Sequence, residues 1–142
     1  DSNSIHYSKD GSDLSRSDVV VVVIGEKPYS EGVGDRDSLH LSDEDLKLLK
    51  KVKNSNLPHV VILISGRPMI INEVIVDSDA FIAAWLPGTE GLGISDVMFG
   101  DFDFTGTLSM TWPKSMKQIP INYGDTNYDP LFQFGFGLSY NK

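Results

Sequence analysis

Five valines and an isoleucine run without interruption from Val19 to Ile24, between Asp18 and Gly25. No polar residue breaks the run, so it does not alternate as a strand with one wet face would. A continuous β-branched stretch closed by glycine reads as a buried strand of a parallel sheet. A parallel sheet needs crossover connections, and those are usually helices. This one stretch therefore points the chain toward an α/β fold.

The rest of the chain keeps that rhythm. Strand one spans Asp18 to Gly25, and a long loop follows from Glu26 to Leu41. Ser42 reads as an N-cap, and Asp43, Glu44 and Asp45 suit the positive end of a helix. Leu46, Leu49 and Val52 continue the helix at its own spacing. His59 to Ile64 is a second buried strand, closed by Ser65-Gly66-Arg67-Pro68. Met69 to Val76 is apolar and β-branched but short, and stays ambiguous between helix and strand. Ala80 to Leu86 is a third strand, and Thr89 to Phe99 a short helix after a Gly-rich turn. Strands alternating with helices give βαβ units with right-handed crossovers. Residues 1–17, rich in Ser, Asp and Gly, form a lead-in segment, and the domain runs over 18–142. Its last part, after Gly100, is aromatic, irregular and too apolar for disorder.

Charge narrows the partners. Among 142 residues the formal net charge is −8, which argues against nucleic acid or an anionic membrane, because phosphate binding needs clustered Lys and Arg. Lys47, Lys50, Lys51 and Lys53 do cluster, but on the solvated face of the first helix. There is no cysteine, so disulfides, thiolate nucleophiles and Cys-ligated zinc are excluded. No apolar run reaches membrane-spanning length. Asp1 does not look like a natural start, so a leader is compatible with the sequence.

In an open α/β sheet, ligands sit beyond the carboxyl ends of the strands. The loop after strand one occupies that place and reads Gly25-Glu26-Lys27-Pro28-Tyr29-Ser30-Glu31-Gly32-Val33-Gly34-Asp35. Two carboxylates five residues apart, Glu26 and Glu31, make it a candidate for acid/base chemistry. Gly32-Val33-Gly34 lacks the third glycine and the immediate helix of a dinucleotide site. Asp125-Thr126-Asn127-Tyr128-Asp129 begins like a calcium loop, but Pro130 stands where glycine is needed. His6, His40 and His59 are too scattered for a metal site.

The chain resembles the C-terminal α/β domain of glycoside hydrolase family 3, the β-glucosidase and exo-glucanase family. The loop just quoted, Ile64-Ser65-Gly66-Arg67-Pro68, Ala84-Trp85-Leu86-Pro87-Gly88-Thr89-Glu90-Gly91, Phe99 to Leu108, and Phe134-Gly135-Phe136-Gly137-Leu138-Ser139-Tyr140 stand in the family's order. The resemblance implies a retaining mechanism with two carboxylates and no metal or organic cofactor. It implies that the nucleophile lies on a preceding barrel domain, outside this chain. It places the acid/base on Glu31, in the Tyr-x-Glu element, with Glu26 as the alternative. The implied substrate is a β-glucoside or β-glucan end, and the implied location secreted or periplasmic. The family's domain begins well upstream of Asp18, so an open sheet edge or an uncovered apolar face is expected here. A non-catalytic carbohydrate-binding or interaction module, and a hydrolase of another sugar (β-xylosidase, N-acetylglucosaminidase), are the alternatives.

Other residues carry two readings each. Glu26 is either acid/base or a hydrogen-bonding group for the loop backbone. Tyr29 stacks on sugar or packs into the loop base. Gly32 permits a turn or the close approach of a sugar ring. Asp35 is a ligand or a loop-structuring residue. Arg67 pairs with a loop acid and tunes it, or forms a structural salt bridge. Trp85 reads as core, Trp112 and the later phenylalanines as exposed interface residues, and Glu90 as a first-turn acid.

Overall fold

The computed structural model describes residues 5–140. Three parallel strands form the sheet: β1 (Val20–Gly25), β2 (His59–Ile64) and β3 (Ala80–Trp85), in that spatial order. Helix α1 (Asp43–Asn54) links β1 to β2, and α2 (Asn72–Asp77) links β2 to β3. Helix α3 (Gly91–Phe99) follows β3, and an irregular, aromatic segment completes the chain. The fold is α/β with flanking helices. No helix among the described residues is long and apolar enough to cross a membrane.

Local chemistry accounts for the elements. The Ser42 side chain accepts the Asp45 N–H at 3.1 Å and caps α1. Acids in the first turn and Lys51 and Lys53 in the last oppose the helix dipole at both ends. Val52 is fully buried against Val22, Ile24, Val61 and Leu63, so α1 covers one face of the sheet. Leu46, expected on that face, is instead exposed. Met69 to Val76 resolves into two parts. Ile70 donates its N–H to the Leu39 carbonyl at 2.8 Å, which keeps that stretch extended, and the short helix α2 starts at Asn72. Glu90 sits at the cap position of α3 rather than within its first turn, because a turn over Pro87–Glu90 delays the helix.

Register matters most at the sheet's carboxyl end. Gly25 pairs with Ile64, and Ile64 with Trp85, after a one-residue irregularity at Leu63 and Ile64. Trp85 absorbs that slip with a left-handed φ of 53°. Its ring is half-buried and packs on Trp112.

Two further expectations need correction. Trp112 is not an exposed interface residue but, among the described residues, the largest fully buried side chain, 1% exposed. Its Nε1 donates to the Met69 carbonyl at 2.8 Å, and Phe81, Trp85 and Phe132 surround its ring. Nothing periodic in the surrounding sequence marks this side, and contacts distant in sequence draw the indole in. Phe132 packs against the same core, while Phe102 and Phe134 are exposed. The second concerns β1, whose apolar run reads as buried; instead its alternate valines are exposed and it forms an open edge, as the missing upstream part of the domain implied. Val22 and Ile24 are buried, whereas Val21 and Val23 are 41% and 58% exposed. Val21 and Val23 stay exposed on the sheet's second face although Ile62, paired with Val23, is buried, and β1 lies at the sheet edge.

The chain's last turn is tied back to α3. Tyr140 donates its hydroxyl to the Val97 carbonyl at 2.6 Å, one of the carbonyls a helix end leaves unpaired. Gly100, at φ 86°, makes the left-handed C-cap that turns the chain away from α3.

Candidate active site

The site begins where β1 ends. Gly25 lies so close to β2 that a Cβ there would stand 2.1 Å from the Ile64 carbonyl oxygen. Glu26 extends the ladder by one bond, its N–H donating to the same oxygen at 3.0 Å. Its side chain turns inward and is only 4% exposed.

That carboxylate meets two guanidinium groups. Arg67, on the turn after β2, donates from Nε at 3.1 Å and from Nη2 at 2.9 Å to Glu26 Oε1. Arg36 donates from Nη1 to the same oxygen at 3.0 Å, and from Nη2 to the His40 carbonyl at 3.2 Å. Hydrogen bonding to Glu26 holds the Arg67 guanidinium above its ordinary pKa, burial opposes this, and the Glu26 charge adds to it. The Arg67 guanidinium also lies 4.6 Å from the centre of the Tyr29 ring, a cation–π contact. The backbone makes room for that ring. A Cβ on Gly34 would come within 2.2 Å of it, and one on Gly66 within 2.8 Å of its hydroxyl.

The loop tip is built differently. Glu31 opens a short 3-10 turn over Glu31–Gly34 with φ at 48°. A non-glycine residue in the left-handed region costs about 1–3 kcal/mol and often marks a functional position. Glu31 is exposed, and its carboxylate makes no hydrogen bond or ion pair among the described residues. Gly32 and Val33 beside it are exposed as well. Asp35 closes the turn, its N–H donating to the Gly32 carbonyl at 3.2 Å.

The residues singled out from the sequence thus fall into two groups. Glu26, Tyr29 and Arg67 meet at the loop base, and Glu31 and Gly32 lie at its tip, with Asp35 just after. Arg36 was not among them. The only signal was a cation in a loop with four acids, and nothing in its spacing selects Glu26 as the partner. No three His, Asp or Glu side chains among the described residues gather to hold a metal ion. An open groove of about 720 Å³, lined by Gln118, Asp125, Tyr128 and Asp129 among others, lies on the C-terminal segment and shares no residue with the loop.

The sequence pattern described as the glycosyl hydrolase family 3 C-terminal domain matches residues 4–140. The chain belongs to that family. A solved exo-1,3/1,4-β-glucanase from a Pseudoalteromonas species is 46% identical and superposes with a TM-score of 0.87, over 94% of this chain and 23% of that one. A β-glucosidase from Listeria innocua, solved with isofagomine, gives 30% identity and a TM-score of 0.83 over 89% of this chain and 21% of that one. A β-xylosidase of Formosa agariphila is 35% identical over 94% of this chain and 21% of its own length. A periplasmic β-glucosidase of Salmonella typhimurium is 32% identical over 88% and 19%. The chain therefore spans about a fifth of the length of these family 3 relatives.

Proposed function

We propose that this chain supplies the general acid/base, Glu31, to a retaining β-glucosidase-type active site whose nucleophile lies on a barrel domain outside the chain. One observation carries the choice of residue: the two loop glutamates have been sorted by their surroundings. Glu26 is buried, and its Oε1 accepts three guanidinium N–H bonds. A group so occupied is a poor proton shuttle. Glu31 is exposed and has no side-chain partner among the described residues, at the tip of a strained turn. Tyr29, packed under Arg67, serves the loop base in this reading, while Gly32 and Asp35 border the sugar.

Catalysis then follows from two carboxylates about 5–5.5 Å apart. Glu31 protonates the departing glycosidic oxygen while the nucleophile forms a glycosyl–enzyme intermediate. Glu31 then takes a proton from the incoming water, which releases the sugar with retained configuration. The other four-fifths of the relatives' length gives room for the nucleophile domain. A terminal β-D-glucosyl residue is the substrate best supported, since both solved neighbours are named for glucoside or glucan hydrolysis. β-Xyloside is the second reading, carried by the β-xylosidase relative. A location outside the cytoplasm is supported by relatives named periplasmic and lysosomal.

The test is hydrolysis of an aryl β-glucoside by the complete protein, native against Glu31→Ala, with and without azide. An aryl leaving group needs little protonation, so the first step survives and deglycosylation slows. Azide needs no general base, so it restores turnover and yields a β-glucosyl azide. Full activity of Glu31→Ala without azide would overturn the assignment. Running the aryl β-xyloside beside the glucoside separates the two sugars by kcat/KM.

A further inference from the structure

We propose that Arg36, acting through Glu26, positions Glu31 by clamping together the two sides of the loop segment that carries it. This rests on the reading of Glu31 as acid/base. The loop leaves the sheet at Glu26, and the 3.0 Å contact from Arg36, ten residues later, closes the stretch between them on itself. The same Arg36 guanidinium holds the His40 carbonyl at 3.2 Å, tying the closed loop to the segment that leads into α1. Arg67 brings in β2 as a third anchor through Glu26 Oε1. Tyr29 fills the space beneath, flanked by Gly34 and Gly66.

Only the tip, Glu31 to Val33, stands clear of these ties, and there the backbone adopts φ 48°. Strained conformations of this kind persist only where the surrounding structure over-determines them. With Arg36 gone, Glu26 still has Arg67, so the buried charge stays paired and the strand end stays in place. What is lost is the tie across the loop mouth, and Glu31 is freed to relax. A misplacement of about 1 Å of a reacting group costs on the order of 100-fold in rate. A lysine at this position keeps the positive charge but, as a point cation, does not reproduce the fork that reaches both Glu26 and the His40 carbonyl.

The test uses the complete protein and two substrates, 2,4-dinitrophenyl β-glucoside and methyl β-glucoside. The first leaving group departs without a proton and the second does not, so the methyl-to-dinitrophenyl ratio of kcat/KM reads how well the acid is placed. Glu31→Ala, Arg36→Ala and Arg36→Lys are compared. The ratio is expected to fall by about 100-fold or more in Glu31→Ala and by about 10- to 100-fold in Arg36→Ala, with Arg36→Lys between Arg36→Ala and native. Loss of folded protein lowers both substrates together and leaves the ratio untouched. Should Arg36→Ala not fold, Arg36→Lys carries the same comparison. An unchanged ratio in the Arg36 variants, with a fallen ratio in Glu31→Ala, overturns the clamp and leaves the acid/base reading standing. An unchanged ratio in Glu31→Ala overturns the acid/base reading, and the clamp with it.

Discussion

Adding one methyl group at the end of β1 should cost far more than adding it a few residues later. Gly25 is not required for a left-handed backbone. It is required because Ile64 lies opposite, with its carbonyl oxygen 2.1 Å, its carbonyl carbon 2.9 Å and its Cβ 3.1 Å from where an alanine Cβ would sit. Two of these three atoms are backbone of the paired strand, so no rotamer change relieves the contact. The two strands must part by roughly 1 Å, the kind of overpacking that costs about 1–3 kcal/mol. Parting them also stretches the 3.0 Å bond from the Glu26 N–H to Ile64, worth about 1 kcal/mol more. Gly25→Ala should therefore destabilise the domain by about 2–4 kcal/mol, a fall of roughly 5–15 °C in Tm for a domain of this size. Gly32→Ala is the matched control. Nothing lies within 4 Å of its added Cβ, and its φ is not positive, so its stability should stay within about 0.5 kcal/mol of native. Scanning calorimetry of the complete protein reads both variants. If Gly25→Ala melted with Gly32→Ala and the native protein, the close approach of the strands would carry no energetic weight.

Two further outcomes follow from the same kind of contact. Trp112→Phe keeps an aromatic ring but leaves the Met69 carbonyl without its donor, which should cost about 1–3 kcal/mol; coincident urea midpoints for the variant and the native protein, followed by circular dichroism, would contradict this. Asp10 titrates below its ordinary value of 3.8, chiefly because Ser12 donates to its carboxylate, with desolvation opposing and Lys51 adding. A depressed pKa contributes stability that is fully present above the unfolded value and lost as pH falls through the folded one, so the effect belongs below about pH 4. A carboxyl-carbon NMR titration checks it, and a midpoint at or above 3.8 would refute the assigned hydrogen bonds.

Short-range chemistry is legible in the sequence. The valine run, the Ser42 cap with its first-turn acids, and the β2 run His59–Ile64 each depend on neighbours a few residues away, and the structure places those elements within a residue or two of the expected bounds. The acidic loop was legible for the same reason, as a Gly-punctuated stretch at the carboxyl end of a parallel strand. The five ordered motifs pointed to the family to which the chain belongs.

Sequence by itself determined the strand–helix alternation, the parallel sheet and the place of the loop, because periodicity and capping act within one or two turns of chain. Only the tertiary structure decided which glutamate is held and which is free. Glu26 and Glu31 look alike in sequence, and they part company because Arg67 reaches Glu26 from 41 residues away while Arg36 closes on it from ten residues further along the loop. The same holds for Trp112, which Met69 receives from 43 residues away, and for β1, whose apolar run is indifferent to whether its second face is covered. Burial and ion pairing depend on what packs there, and those partners are brought together by the fold rather than by spacing along the chain.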